Sequence, residues 1–293
     1  MTPDTLRFQQ ESPRRCRYRN MKAGNDRSVA SECATSTSMH SVASPRSSPG
    51  AESRYSAGMR VDSAIKPILA VTGLAVEARI AAGPGVEVVC SGCDPARLRL
   101  LLNGLAPTRY RGVLSFGLSG ALDPALQPGD IVVATEIKSD AGAWPVAAGF
   151  SGAVTDRLRG IGNTATRAAL AGVNAPVIEA MLKAELWGRT GAAAVDMESH
   201  VAASFGAAVG LPVCALRVIS DPADRNLPPL AARTIRADGR VDLAAVFASL
   251  AGNPKQIPLL IQAGRDARIA FSSLRRVRRL LEFGPGLGGA NLG

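Results

Sequence analysis

Gly191–Asp224 reads GAAAVDMESHVAASFGAAVGLPVCALRVISDPAD, and the way it folds sets the frame for the rest of the chain. Ala192 to Val195 is a short apolar run that stops at Asp196-Met197-Glu198. Ser199 to Val209 has the small-residue composition of a packed helix. Gly210-Leu211-Pro212 ends it, since Gly suits a helix C-terminus and Pro cannot continue one. Val213 to Ile219 is a second apolar run, closing in Ser220-Asp221-Pro222-Ala223-Asp224. The stretch therefore predicts strand, helix, strand, loop. In open α/β sheets ligands bind outside the carboxyl ends of strands, which is where this reading puts Glu198 and Asp221.

Working outward, the same alternation of strand and helix extends over residues 61–250, which is the α/β pattern. Ile68 to Leu74 predicts a buried strand leading into AVEARIA (75–81), so Glu77 lies just past a third strand end. Val86 to Cys90 predicts the next strand. Asp94-Pro95 opens a helix running to about Leu105, with Asp as N-cap and Pro in the first turn. Arg111 to Gly117 predicts a strand feeding a small-residue turn over Gly117–Leu122, and Ile131 to Ile137 another strand. Residues 139–175 give no clear pattern, Val177 to Trp187 suits a helix, and Leu230 to Leu250 a helix interrupted near Gly239.

The chain has 293 residues, 46% of them hydrophobic, and a net charge of +10. That is enough for one large α/β domain. The charge sits at the ends: 10 basic against 5 acidic residues over 1–60, 17 against 17 over 61–254, and 7 against 2 over 255–293. A neutral middle excludes a nucleic-acid-binding core, which needs a basic stripe of its own. The 5 Cys residues, odd in number and scattered, do not form a disulfide framework and point to a reducing compartment. No apolar run reaches the roughly 18 residues a membrane span needs. Residues 1–60, rich in Ser and Arg, predict a disordered basic leader ahead of a start near Met59. The expected layout is that leader, a catalytic domain over 61–253, and a basic helical extension over 254–293.

GLAVEARIA (73–81), SFGLSGALDPALQPGDIVV (115–133), VDMES (195–199) and RVISDPAD (217–224) stand in the order found in the nucleoside phosphorylase/nucleosidase family. The resemblance covers about residues 66–250 and is closest to the hopanoid-associated phosphorylase branch. It implies a three-layer α/β/α fold around a central mixed sheet, and cleavage of the bond between ribose C1′ and a purine nitrogen. In that branch the implied substrate is adenosylhopane, losing adenine; a methylthioadenosine- or adenosylhomocysteine-type nucleosidase and a non-catalytic nucleoside- or lipid-binding protein are the alternatives.

Such a bond breaks when charge on the departing purine is neutralised and the ribosyl cation is stabilised. The resemblance implies that Asp221 is the general acid at purine N7, with Ser220 orienting it. It gives Glu198 the ribose hydroxyls and Met197 the sugar face. Glu77 stands where related nucleosidases have the glutamate that activates water, and where hexameric phosphorylases have a phosphate-binding arginine. A carboxylate there repels phosphate by about 1–4 kcal/mol at 4 Å. Leu118 and Ser115 also depart from a phosphate site, replacing a serine and an arginine of the family. Ser119, Gly120 and the backbone N–H groups of Gly117–Gly120 still suit an anion. Water and phosphate both remain as nucleophile; neither metal nor organic cofactor is implied, and phosphate would be a co-substrate.

Other motifs are poorer. GLSG (117–120) matches neither a nucleophile elbow nor a dinucleotide loop. Of the two histidines, His40 lies in the leader and His200 reads as part of the Glu198 helix. Cys90-Ser-Gly-Cys93 has no second pair and no nearby His to make a zinc site. Ile257 to Phe283 sets Leu274, Val277 and Leu281 among Arg275, Arg276, Arg278 and Arg279, which suits either a final helix packed on the sheet or an interfacial helix facing anionic lipid. A cytoplasmic homo-oligomer is expected, with peripheral contact at the inner membrane face under the second reading.

Overall fold

The computed structural model describes residues 66–159, 165–228, 236, 238–242 and 256–281. The 1–60 leader, the Asn253-Pro254 break and most of the helix expected over Leu230–Leu250 lie outside the described residues.

The chain alternates as the periodicity predicts: β1 (Ile68–Thr72), α1 (Ala75–Ala81), β2 (Val86–Cys90), α2 (Pro95–Asn103), β3 (Gly112–Ala121), β4 (Ile131–Ser139), β5 (Gly142–Pro145) and α3 (Ala148–Arg159). It continues through β6 (Ala165–Gly172), α4 (Ala180–Thr190), β7 (Ala194–Asp196), α5 (Ser199–Val209), β8 (Val213–Asp221) and α6 (Ile257–Leu280). Local chemistry sets the boundaries. Asp94 accepts the N–H groups of Ala96 and Arg97 to start α2. Gly191 and Gly210, both left-handed, end α4 and α5.

The sheet is mixed. β2, β1, β3 and β8 are mutually parallel, as are β4, β6 and β7, and the two sets meet antiparallel at β3–β7 and β4–β8. Pairing therefore closes a ring, β3-β8-β4-β6-β7, with β1 and β2 extending from β3 and β5 from β4. Alternate strand residues feed two cores. Leu69, Val71, Val113 and Ala215 pack with Leu98 and Leu102 of α2 and Val201–Ala203 of α5. Ile68, Ala70, Leu114 and Leu216 pack with Phe150 and Val154 of α3 and Ala270, Leu274 and Val277 of α6. Helices thus cover both faces, the three-layer α/β/α arrangement.

One sequence expectation is corrected. Gly117–Leu122 is not a turn: β3 runs on to Ala121, because its backbone stays paired with β8 up to Asp221, across one register shift between Ser119 and Gly120. Residues 139–175, unpatterned in sequence, hold β5, α3 and β6. Glu198 and Asp221 do follow strand ends, but β7 runs against β3 while β8 runs with it, so the two carboxylates arrive from opposite directions.

The C-terminal helix reads as the final helix of the second layer. The apolar side of its second half, with Ala270, Leu274 and Val277, is buried against β8 and α3, which leaves Arg275, Arg276 and Arg279 exposed on the other. Ile257, Leu259 and Ile261 of the first half are exposed. Arg278 donates from Nε to the Ala81 carbonyl at the end of α1.

Candidate active site

At the centre stands Arg217, fully buried on β8, in a strand whose other residues from Val213 to Ile219 are uncharged. A buried guanidinium is tolerated only when paired and hydrogen-bonded on all sides. Its Nε pairs with Asp196 Oδ2 at 2.8 Å and its Nη2 with Glu198 Oε2 at 3.5 Å. Nη2 also donates to Ser115 Oγ at 2.5 Å and Nη1 to the Leu118 carbonyl at 3.3 Å.

Asp196 has a second task. Its Oδ1 accepts the N–H groups of Glu198 (2.9 Å) and Ser199 (2.7 Å), satisfying the exposed donors at the start of α5. That bend brings the Glu198 carboxylate between Arg217 and the ends of β1 and β2. Glu198 Oε1 accepts from Ser91 Oγ at 3.3 Å, and glycine at position 73 lets it lie close, since a Cβ there would be 2.6 Å from the same oxygen and would displace the carboxylate. Met197, between Asp196 and Glu198, is half-buried.

Glu77 enters from the far side, in the first turn of α1. Its Oε2 accepts from the N–H groups of Gly73 (2.9 Å) and Leu74 (2.8 Å), and its Oε1 from Leu118 (2.7 Å). Gly117 separates this carboxylate from Arg217: a Cβ on it would meet Glu77 Oε1 at 2.7 Å and Arg217 Nη1 at 2.8 Å. Glu77, Glu198 and Arg217 are thereby one cluster. The backbone cradle expected over Gly117–Gly120 is already used in part, because Glu77 itself takes the Leu118 N–H.

Burial pushes the Glu77 carboxyl above the usual range, against the pull of Arg217 and its three N–H donors. Burial pushes Glu198 up to about 8; Arg217 opposes this, while Asp196 and Glu77 add to it. A carboxyl held up in this way stabilises the fold fully below its unfolded value near 4.5. That contribution drains away as pH climbs through the folded value of about 8. Thermal melts between pH 6 and 9 should show Tm falling with pH, and Glu198→Gln, neutral throughout, should flatten the fall. An unchanged slope in the variant would rule out Glu198 as its source.

Asp221 ends β8, four positions beyond Arg217, about 13 Å along the strand. Gly120 lies across from it, where a Cβ would come within 3.0 Å of Asp221 Oδ2. Ser220 Oγ contacts Asp221 Oδ1 at 2.7 Å and the Ser119 carbonyl at 3.1 Å. Ser119 Oγ is buried with no hydrogen-bond partner among the described residues. Buried hydroxyls are normally satisfied, so this one suits a ligand atom. Lys183 of α4, fully buried, places Nζ 2.5 Å from Asp221 Oδ2.

The structure thus brings Glu77 and Glu198 onto one guanidinium, and lays Ser119, Gly120, Ser220 and Asp221 further along the paired ends of β3 and β8. Three residues of the cluster had no role in the sequence reading. Arg217 announces itself as the lone charge in an apolar strand, and Asp196 sits inside the VDMES block. Lys183, on a helix with mixed polarity, gives no signal at all. His200 belongs to α5, its Nε2 3.1 Å from Asn174 Oδ1, and burial pushes its pKa down. Cys90 donates to the Gly73 carbonyl, and burial pushes the Cys93 thiol up, leaving it unreactive. No group of three or more metal-binding side chains occurs among the described residues.

A family model described as the Phosphorylase superfamily matches residues 70–250, which span every one of these side chains. The chain belongs to the phosphorylase superfamily. It is, with that superfamily, an enzyme. Among solved structures, futalosine hydrolase of Helicobacter pylori strain 26695 aligns at 14% identity and TM-score 0.56, over 75% of this chain and 97% of that one. The 5′-methylthioadenosine/S-adenosylhomocysteine nucleosidase of Helicobacter pylori, complexed with butyl-thio-DADMe-Immucillin-A, aligns at 16% identity and TM-score 0.56, over 74% and 97%. The corresponding nucleosidase of Neisseria meningitidis, bound to methylthio-immucillin-A, aligns at 14% and 0.56, over 74% and 99%. At these identities the likeness is one of fold. No curated protein matches the chain.

Proposed function

We propose that this superfamily member hydrolyses the N-glycosidic bond of an adenosine-type nucleoside, releasing adenine. The observation that carries the choice of water over phosphate is the saturation of the Arg217 cluster by its own carboxylates. Arg217 is already paired with Asp196 and Glu198, and the Leu118 N–H with Glu77. A phosphate dianion there meets a guanidinium and a Leu118 N–H that are already engaged, and two carboxyl groups. Water meets what it needs: Glu77 Oε1 accepts one N–H and keeps a second acceptor site, and burial makes it a stronger base than a free carboxylate. Glu198 and Met197 hold the ribose, and Ser119, Ser220 and Asp221 face the purine. The solved relatives named as nucleosidases support the same substrate class.

The assay is release of adenine from adenosine, methylthioadenosine and an adenosine carrying a bulky apolar 5′ substituent. Binding of all three without release would favour a non-catalytic nucleoside-binding protein instead.

The finer reading, a lipid-linked nucleoside such as adenosylhopane, draws support from the exposed basic face of α6. No helix among the described residues is long and apolar enough to cross a membrane. The apolar side of the second half of α6, with Ala270, Leu274 and Val277, is buried in the core, so that stretch is not free to insert. Arg275, Arg278 and Arg279 instead line a groove with Arg79 of α1, suited to phosphate headgroups at about 1 kcal/mol per basic residue. Flotation with phosphatidylglycerol vesicles, lost on replacing Arg275, Arg276 and Arg279 by Glu, tests this contact. Flotation that survives the replacement removes α6 from the account.

A further inference from the structure

Lys183 is among the largest fully buried side chains described, and no step above uses it. Its ammonium has three N–H bonds and three acceptors: Asp221 Oδ2 at 2.5 Å, the Pro222 carbonyl at 2.9 Å and the Arg225 carbonyl at 3.1 Å. The proton count is therefore complete on nitrogen, with Lys183 charged and donating and Asp221 accepting. A general acid at Asp221 needs a proton, and the nearest donor sealed from solvent with it is Lys183. Ser220 supplies a place for that proton. Its hydroxyl has one hydrogen and two oxygen neighbours, the Ser119 carbonyl and Asp221 Oδ1. Both contacts are satisfied together only when the Asp221 carboxyl is protonated. The network is thus arranged to hold Asp221 in either state.

The loop beyond Asp221 is fixed by the same helix. Asn226 Oδ1 accepts the Ala180 N–H at the start of α4, Leu227 donates to the Ile178 carbonyl, and Arg225 pairs with Asp266 of α6. Lys183 and Asp221 therefore cannot separate without undocking this loop.

We infer that Lys183 is the proton source for the departing purine, acting through Asp221. This inference rests on the nucleosidase reading above. One proton passes from Nζ to the Asp221 carboxylate, and from that carboxyl to purine N7. The C1′–N9 bond breaks with its electron pair going to the purine, which leaves as neutral adenine. Water adds to C1′ and gives its surplus proton to Glu77. The resting state returns when solvent removes that proton from Glu77 and supplies one by way of Asp221 to Lys183, so the cycle consumes only water. Lys183 is in this sense a positioning and proton-supplying residue, since of the two only Asp221 touches the purine.

The test compares two substrates on one protein: adenosine, whose leaving group needs a proton, and 4-nitrophenyl riboside, whose leaving group departs as a stable anion. Lys183→Met should lower kcat on adenosine by roughly 10²–10³-fold, the range of positioned acid catalysis, and change the nitrophenyl reaction by less than about threefold. Lys183→Arg keeps the charge and donors but cannot surrender a proton, and should show the same split. Equal losses on both substrates would mean that Lys183 only supports the fold, and an unimpaired adenosine reaction in either variant would overturn the inference outright. If Lys183→Met does not fold, the Arg variant decides alone. Wild-type protein that cleaves neither substrate refutes the nucleosidase reading itself, a result distinguishable from either of these.

Discussion

Asp221→Asn is expected to lower kcat for adenine release by roughly 10²–10⁴-fold while nucleoside binding is retained. Asn keeps the shape and one acceptor but can neither take a proton from Lys183 nor pass it on. The substitution also leaves the Lys183 ammonium, 0% exposed, without its carboxylate. Removing one partner of a buried pair costs about 3–5 kcal/mol, so Tm should fall as well. Turnover is therefore measured well below the variant's own Tm, with binding followed by titration of a nucleoside analogue on the same sample. Loss of binding in step with kcat would show that Asp221 supports the site without entering the chemistry.

Arg217→Met should have the largest effect on stability of any single substitution in the site. It removes a cation paired with Asp196 and Glu198 and close to Glu77, all three buried. The expected cost is again about 3–5 kcal/mol, a large share of the roughly 5–15 kcal/mol that holds a domain together. At about 2–4 °C per kcal/mol for a domain of this size, Tm drops by about 6–20 °C. The deficit should shrink at acid pH, where Glu198 and Glu77 take up protons and need no cation. A melt at pH 5 and another at pH 8 check this; a deficit independent of pH would mean that packing, not charge, is what Arg217 contributes.

The strands and helices that build the site were legible because their signals are local. Asp94-Pro95, Gly210-Leu211-Pro212 and the apolar run at Val213 each fix a boundary through backbone chemistry within a few residues. What escaped was long-range. β3 continues past Gly117 because β8 pairs with it, and nothing in GLSGAL says so without β8. The opposite sense of β7 and β8 follows from the ring closure, which no local pattern encodes. Among the candidate side chains, the acids at 77, 198 and 221 stand out in sequence through the blocks that contain them. Arg217 sat within one of those blocks, and a charge in an otherwise apolar strand was a signal that burial would demand partners. Lys183 differs: its role exists only because the loop after β8 folds back onto α4, and a lysine on a helix of mixed polarity looks the same whether it meets water or an aspartate.

The central claim is that water, activated at Glu77 beside a guanidinium already paired with Asp196 and Glu198, attacks the ribose. Mass analysis of the sugar product, after incubation with an adenosine-type substrate in phosphate-free buffer and again with phosphate added, tests this most directly. Free ribose, or its 5′-substituted form, at the same rate in both buffers is the predicted result; a sugar 1-phosphate whose formation depends on added phosphate would contradict it.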